Sequence, residues 1–260
     1  MTLDVSNLEF KYKTTDILKG VDFSAQAGQC ICVLGENGAG KTTLFRCLLG
    51  FLDGYQGEIK VDGIDGRKLS PRDLARKIAY IPQVNAPTFN YTVFETVLMG
   101  TNILTRRFRT PGVDERKSAF GMLELMNIAH LAERGFAELS GGERQLTLIA
   151  RALAQRSRIL IMDEPTANLD YGNQFRVLRR IRQLSADGYL VVLSTHNPEH
   201  ALLYADMVLV LKEGRAMLFG APKDVLSPET IMKVYGVSVE LNTVSTGHGD
   251  VPVFIPHPDG

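Results

Sequence analysis

The sequence predicts an α/β fold with a parallel sheet at its centre. Near-continuous apolar runs at residues 30–34, 159–162, 189–194 and 207–211 have the composition of buried strands, and helical patterns lie between them. Shorter runs at residues 8–12 and 58–63 have the pattern of hairpin strands, which predicts a small antiparallel β subdomain near the N-terminus. Residues 84–157 carry helical periods and no strand pattern, so we expect a helical insertion there.

The composition excludes several classes of protein. Lys+Arg and Asp+Glu both number 29, so the chain has no net charge and lacks the basic footprint of a nucleic-acid-binding protein. No stretch approaches the roughly 18 uncharged apolar residues of a membrane span. The first residues also lack the basic and apolar segments of a secretion signal. Cys30, Cys32 and Cys47 have no paired Cys or His beside them, so we expect buried thiols rather than a metal site.

A glycine-rich segment follows the first apolar run and precedes a helical pattern. It reads Gly35-Glu36-Asn37-Gly38-Ala39-Gly40-Lys41-Thr42-Thr43 and matches G-x-x-x-x-G-K-[ST]. Strand, loop and helix in this order predict a nucleotide phosphate site rather than a chance match. In such a site Lys41 reaches the β- and γ-phosphates, and the Thr42 hydroxyl binds Mg²⁺.

Two acidic residues, Asp163 and Glu164, follow the second buried strand. Ligand groups cluster at the carboxyl ends of parallel strands. An aspartate there can support Mg²⁺, and the neighbouring carboxylate can deprotonate an attacking water. A polar strand terminus is the alternative, but the phosphate loop favours a P-loop NTPase.

The segment Leu139-Ser140-Gly141-Gly142-Glu143 opens another helix. Ser140 and Glu143 have the spacing of a capping box, so a well-formed helix start is one interpretation. Two glycines in the first turn weaken a helix without an evident packing gain. They suit a helix end that approaches an anion closely, so we expect a second phosphate contact.

These motifs, together with Gln83, residues 168–170 and His196, stand in the order found in ABC transporter ATP-binding subunits, and the chain resembles that family from Leu3 to about Tyr235. The resemblance implies a P-loop NTPase core with a parallel sheet, an N-terminal antiparallel β subdomain and a helical insertion subdomain. It implies ATP and Mg²⁺ as cofactors. It also implies a head-to-tail homodimer in which each ATP lies between the phosphate loop of one copy and the 139–143 segment of the other.

The resemblance assigns roles to individual residues. Glu164 is the general base, and His196, Gln83 and Lys41 share the catalytic site. Thr42, Gln83 and Asp163 serve the metal. The other nucleotide contacts fall to Tyr12, Gly35, Asn37, Gly38, Ala39, Gly40, Lys41, Thr42, Thr43, Ser140, Gly141, Gly142, Glu143 and Asp170, with Asp170 acting across the dimer.

Three of these assignments have structural alternatives. Gln83 follows Pro82 and could be a plain turn residue, and His196 could cap the end of a strand. Phe10 and Tyr55 compete with Tyr12 as the aromatic on which adenine stacks.

Residues 93–100, 153–155 and 170–174 resemble the importers of iron–siderophores, haem and cobalamin. Two departures, Thr101 after Gly100 and Leu146 after Gln145, leave zinc, manganese and molybdate open as cargo. The resemblance implies two transmembrane permease subunits, an extracytoplasmic substrate-binding protein and a peripheral place on the cytoplasmic face of the cell membrane. A nucleic-acid mechanoenzyme would need a coiled-coil insertion or a second ATPase domain, and neither is seen. A soluble ATP-binding regulator is a third interpretation.

Two segments of the predicted insertion lead to further expectations. We interpret the apolar segment Asn85–Tyr91 as the lining of a groove for a permease helix, with packing of Phe89 and Tyr91 onto the core as the alternative. The basic run at residues 106–109 and the Thr110-Pro111-Gly112 that follows it predict a solvated loop. We assign residues 1–241 to the ATPase domain and residues 242–260 to a C-terminal extension. Its Gly, Pro, His and Thr content predicts a loose chain.

Overall fold

The computed structural model describes residues 1–83, 91–103, 110–247 and 249–257. Within these residues the strands are β1 Thr2–Tyr12, β2 Thr15–Gln26, β3 Cys30–Leu34, β4 Gln56–Val61, β5 Ile64–Asp65, β6 Ile78–Ile81, β7 Ile159–Met162, β8 Leu190–Thr195, β9 Met207–Lys212, β10 Arg215–Gly220, β11 Val239–Thr246 and β12 Gly249–Pro256. The helices are α1 Lys41–Leu48, α2 Pro71–Lys77, α3 Val93–Leu98, α4 Val113–Leu125, α5 Gly141–Ala154, α6 Tyr171–Ala186, α7 Pro198–Tyr204, α8 Pro222–Val225 and α9 Pro228–Tyr235.

The strands form two sheets and a separate ribbon. The larger sheet has the order β10-β9-β3-β8-β7-β6, and all its neighbours are parallel except β10 and β9. The smaller sheet has the order β2-β1-β4-β5 and is antiparallel. The predicted fold class, a parallel core with an N-terminal antiparallel β subdomain, is confirmed.

Strand β3 separates the two halves of the hydrophobic core. Cys30, Cys32 and Leu34 pack with the helical side of the large sheet, and Ile31 and Val33 pack with the antiparallel sheet. Successive side chains of a strand point to opposite faces, so a fully apolar strand serves two apolar layers. Burial raises the pKa of the Cys30 thiol to about 12, as expected for a cysteine that acts as a small apolar residue.

Helices α3, α4 and α5 form the described part of the insertion, and no strand occurs among its described residues. Gly100 lies so close to α5 that an added Cβ would sit 2.0 Å from the Arg151 carbonyl oxygen. The next side chain, Thr101, is fully buried and donates its hydroxyl to the Leu98 carbonyl at 2.8 Å. Packing therefore explains why Thr101 stands at this position, where the sequence departs from the importers that it resembles. None of the described helices is both long and apolar enough to cross a membrane.

The C-terminal extension is not loose, and that expectation was wrong for the described residues. Strands β11 and β12 pair in antiparallel register from Val239↔Pro256 to Thr246↔Gly249. Val239 and Phe254 are 8% and 7% exposed and join the main core, where the ribbon packs against α7 and α9. Burial of Phe254 and Val239 helps to offset the cost of ordering the chain, and the Gly and Pro content of the sequence did not reveal it.

We predict that Phe254→Ala lowers the free energy of unfolding by about 3 kcal/mol, because it leaves a cavity where the ribbon meets the core. Ile255→Ala, one residue along the same strand, is the control. Ile255 is 48% exposed, and the expected loss there is under about 1 kcal/mol. Urea unfolding of both variants measures the difference. A loss under about 1 kcal/mol in Phe254→Ala as well would mean that Phe254 does not contribute to the core.

Candidate functional site

The site lies at the carboxyl ends of three adjacent parallel strands. Strand β3 leads into the phosphate loop, β7 leads into Asp163 and Glu164, and β8 leads into His196. Because β8 lies between β3 and β7, segments up to 160 residues apart in sequence meet at one sheet edge. The parallel registers pair Leu34 with Thr195 and Met162 with Leu193, so β7 ends two residues before the level at which β3 and β8 end.

The phosphate loop has the backbone that its glycines predict. Gly40 is the N-cap of α1 with φ 105°, and Gly38 has φ 85°. These angles are costly for residues with a Cβ. An added Cβ at Gly35 would lie 2.3 Å from the Leu211 carbonyl oxygen. No side chain caps α1 and no acidic residue occupies its first turn, so its amides and positive dipole end suit an anion.

Lys41 is held inside the loop. Its side chain is 6% exposed, and Nζ donates to the carbonyl oxygens of Gly35 at 2.6 Å and Glu36 at 3.2 Å. The same Nζ lies 3.2 Å from Glu164 Oε1. The structure thus brings the predicted phosphate-binding lysine into contact with the predicted general base, and each compensates the other's charge in a largely buried place.

The Asp163 carboxylate is fixed at both oxygens. Thr42 Oγ1 donates to Oδ2 at 2.9 Å, and Ser194 Oγ donates to Oδ1 at 2.7 Å. The Ser194 hydroxyl also accepts the Glu164 amide at 2.9 Å. The sequence did not point to Ser194, because only the parallel pairing of β7 with β8 places it beside Asp163.

Glu164 occupies an unusual backbone position. Its φ is 45°, in the left-handed region that non-glycine residues rarely adopt, and such strain is common at functional sites. Oε1 faces Lys41, while Oε2 lies 3.3 Å from His196 Nδ1. His196 is largely exposed, and it meets Glu164 rather than only ending its strand.

A cavity of about 450 Å³ connects these groups. Its lining residues are Ile17, Glu36, Asn37, Gly38, Gly40, Lys41, Thr42, Thr43, Gln83, Asp163 and Glu164. The lining contains the predicted metal residues Thr42, Gln83 and Asp163, all oxygen donors, which suit Mg²⁺. Among the described residues there is no group of three or more His, Cys, Asp or Glu that could hold a metal alone. The donor set therefore fits a Mg²⁺ that shares its coordination with phosphates and water.

The three candidate aromatics have different surroundings. Tyr12 is 40% exposed and stands edge-on to Phe10, with ring centroids 4.9 Å apart. Phe10 is 9% exposed and belongs to the core, and Tyr55 lies under the Arg67 guanidinium in another cavity. Tyr12 is the most exposed of the three, although it does not line the phosphate cavity itself.

The second predicted phosphate segment is an exposed helix start. Ser140 and Glu143 form the predicted capping box, with the Ser140 amide donating to Glu143 Oε2 at 2.8 Å. These hydrogen bonds from the Ser140 amide and hydroxyl hold the pKa of Glu143 below its ordinary value. Asp170 caps α6 in a similar way, and the Asn173 amide and side chain lower its pKa. None of the three residues lines the phosphate cavity.

Gly141 and Gly142 pack closely against the segment around Asp170, contrary to the expectation from the sequence. Its two glycines were expected to have no packing function, yet an added Cβ at Gly142 would lie 2.6 Å from the Asn173 side chain. At Gly141 the nearest atom would be Leu169 Cδ2 at 2.9 Å. Both glycines therefore let α5 approach the segment around Asp170 closely. The capping box and this approach account for the local sequence within a single chain.

The described residues end at Gln83 on this side of the site. Asn85–Asn90 of the expected permease groove lie outside the described residues, as does the basic run at 106–109. Tyr91, which is described, is 44% exposed.

We predict that Ser194→Ala raises the Mg²⁺ concentration for half-maximal ATP hydrolysis by about 10- to 100-fold, because Asp163 loses the hydroxyl that orients it. The measurement is ATPase activity during a Mg²⁺ titration. Ser185→Ala is the matched control, since Ser185 is equally buried and bonds the Arg182 carbonyl far from the site. An unchanged Mg²⁺ requirement in Ser194→Ala would contradict this role.

Comparisons with known proteins show the family. A family model described as ABC transporter matches residues 18–167. An uncharacterized ABC transporter ATP-binding protein of Haemophilus influenzae is 40% identical over 93% of this chain and 92% of its own length. A probable iron chelatin transport ATP-binding protein of Helicobacter pylori is 35% identical over 92% of this chain and 95% of its own length.

Two further matches add cargo names and a fold. The cobalamin import ATP-binding protein of Halobacterium salinarum is 39% identical, with 94% of this chain covering 61% of that protein. A solved structure described as a metal-chelate type ABC transporter has a TM-score of 0.89 at 32% identity and covers 99% of this chain and 98% of its own. With a phosphate loop, an acidic pair and a histidine at one sheet edge, the chain belongs to the ABC transporter family as an ATP-hydrolysing subunit.

Proposed function

We propose that this chain energises the import of a metal chelate of the iron–siderophore, haem or cobalamin class. The observation that carries the ATPase part is that Lys41, Thr42, Asp163 and Glu164 line one cavity. Thr42 contacts Asp163, and Glu164 contacts both Lys41 and His196. The cargo class rests on similarity to proteins named for iron chelatin, cobalamin and metal chelates.

In the proposed reaction, Glu164 is the base that takes a proton from the attacking water. Lys41 and His196 hold its two oxygens, which fixes the direction of the carboxylate toward the cavity. When it is bound through Thr42 and Asp163, Mg²⁺ supplies charge stabilisation at the phosphates. Gln83 borders the same cavity and can orient water there. Tyr12 supplies a face on which adenine stacks.

The proposed assembly is a head-to-tail homodimer. Ser140 and Asp170 are exposed and lie outside the cavity that holds Lys41, so neither serves the phosphate loop of its own chain. Each can complete the site of a second copy, where α5 presents its positive end to the partner's ATP.

The proposed membrane partners are two permease subunits, with the chain at the cytoplasmic face and a substrate-binding protein outside. A groove of about 410 Å³ beside α1 and α2 supports this partner. Phe51 is 65% exposed at its rim and stands edge-on to Tyr80, with ring centroids 6.2 Å apart. An exposed aromatic at an apolar groove suits a short helix from a permease.

We predict that the chain, reconstituted with its permeases in vesicles, drives ATP-dependent uptake of a ferric siderophore, haem or cobalamin. Zinc, manganese and molybdate are the comparison cargoes, and uptake of one of these alone would overturn the cargo class. Glu164→Gln is the negative control. Loss of a positioned base lowers turnover about 10²- to 10⁴-fold, while the amide leaves ATP binding in place.

We predict that Ser140→Arg stops ATP turnover but preserves binding of labelled ATP, and that mixing it with Lys41→Ala restores activity. In the mixed dimer one composite site has both changes and the other has neither. When equal amounts of the two variants pair at random, about half of the dimers are mixed, and each mixed dimer has one intact site of two. About a quarter of wild-type activity is therefore expected if the sites act independently.

The control for this mixing experiment is Ser70→Arg. Ser70 caps α2 in the same manner but lies away from the cavity, and its variant should keep full activity. A mixture that stays inactive would mean that Ser140 acts within its own chain.

A further inference from the structure

Helix α7 contains a buried histidine, His200, that the reaction described above does not use. Its exposed fraction is 5%, and it lies four residues after His196. His200 Nδ1 is 3.4 Å from Thr166 Oγ1, and its ring stands edge-on to Phe175 of α6, with centroids 6.1 Å apart. Thr166 is itself only 6% exposed, so this polar contact lies in the interior.

Thr166 belongs to the compact segment that links Glu164 to Asp170. The Ala167 amide donates to the Glu164 carbonyl at 3.0 Å, and the Leu169 amide donates to the Thr166 carbonyl at 3.3 Å. Glu164 and Asn168 have φ of 45° and 61°, so the segment holds two costly backbone positions. Strained positions persist only where neighbouring contacts fix them. The hydroxyl of Thr166 makes a side-chain contact from this segment to α7.

His200 acts as a neutral hydrogen-bonding group. Burial, with a smaller contribution from His196, lowers the pKa of His200 to about 4. The imidazole therefore carries no charge near pH 7, and one ring nitrogen can accept while the other donates. Such a ring can pair with a hydroxyl without the desolvation cost of a buried cation.

We propose that His200 is a positioning residue for ATP hydrolysis: it fixes Thr166, and through it the loop that carries Glu164, against the helix that follows His196. The two catalytic side chains are 3.3 Å apart but lie on separate segments. The Thr166–His200 hydrogen bond joins those segments behind the site. This inference rests on the proposed roles of Glu164 and His196.

The alternative is that His200 only fills space in the core. The two interpretations differ in what a change of shape and a change of polarity should do. Leucine keeps much of the volume but cannot hydrogen-bond, whereas asparagine is smaller but places an amide atom where Nδ1 lies. A space-filling role tolerates leucine better, and a positioning role tolerates asparagine better.

The experiment measures kcat and KM for ATP in full-length His200→Leu, His200→Asn, Thr166→Val and Thr166→Ser. We expect the Leu and Val variants to lose about 10- to 100-fold in kcat with KM changed less than about threefold, because misplacement affects the reaction more than binding. The Asn and Ser variants should stay within about threefold of wild type. The double variant His200→Leu/Thr166→Val should be no slower than either single variant, because both remove one interaction.

Melting temperatures and one further variant control for folding. Thr101→Val removes an equally buried hydroxyl far from the site and should leave kcat unchanged. Normal kcat in His200→Leu, a slower His200→Asn than His200→Leu, or losses that multiply in the double variant would each overturn the proposal. Glu164→Gln in the same assay distinguishes a failure of this inference from a failure of the proposed function. If it stays active, the proposed base is wrong, whatever His200 does.

Discussion

The structure depends on how the Asp163 carboxylate is held. Thr42 from the first turn of α1 and Ser194 from the end of β8 each donate to one of its oxygens. A buried carboxylate with both oxygens hydrogen-bonded has a fixed direction, and an unsatisfied one would be costly. The cluster therefore joins the phosphate loop, the acidic pair and the histidine strand, and the same contacts that stabilise this edge also arrange its chemistry.

Apolar strands make this arrangement possible. Strands β3, β7 and β8 are almost wholly buried, so their ends can be positioned by packing on both faces. The polar groups occur only where the strands end. The packed sheet is rigid, and the loops that follow its strands hold the glycines and the strained residues. This arrangement is expected of a preorganised site.

Much of this could be predicted from the sequence. Each apolar run has the length of a buried strand, and Gly35–Thr43 has a pattern with a specific geometric purpose. The capping box of Ser140 and Glu143 could be predicted because its two residues lie close together in the sequence. The grouping of distant residues around ATP came from the resemblance to a family, since sequence periodicity carries no information on which strands are neighbours.

The sequence was less informative where the partner is distant in the chain. Ser194 needed the β7–β8 pairing, and the Thr166–His200 contact needed the packing of α7. The sequence did not reveal the β11–β12 ribbon, because the Gly and Pro content of this segment outweighed its short apolar run at residues 251–255. Gly142 was misread because Asn173, which it contacts, lies in another element.

The most direct test is the crystal structure of the chain with Mg²⁺ and a non-hydrolysable ATP analogue. We expect Mg²⁺ about 2.1 Å from Thr42 Oγ1, Asp163 directed at the metal or its water shell, and Glu164 facing the γ-phosphate. Phosphates bound elsewhere, or a metal with no contact to Thr42 and Asp163, would contradict this expectation.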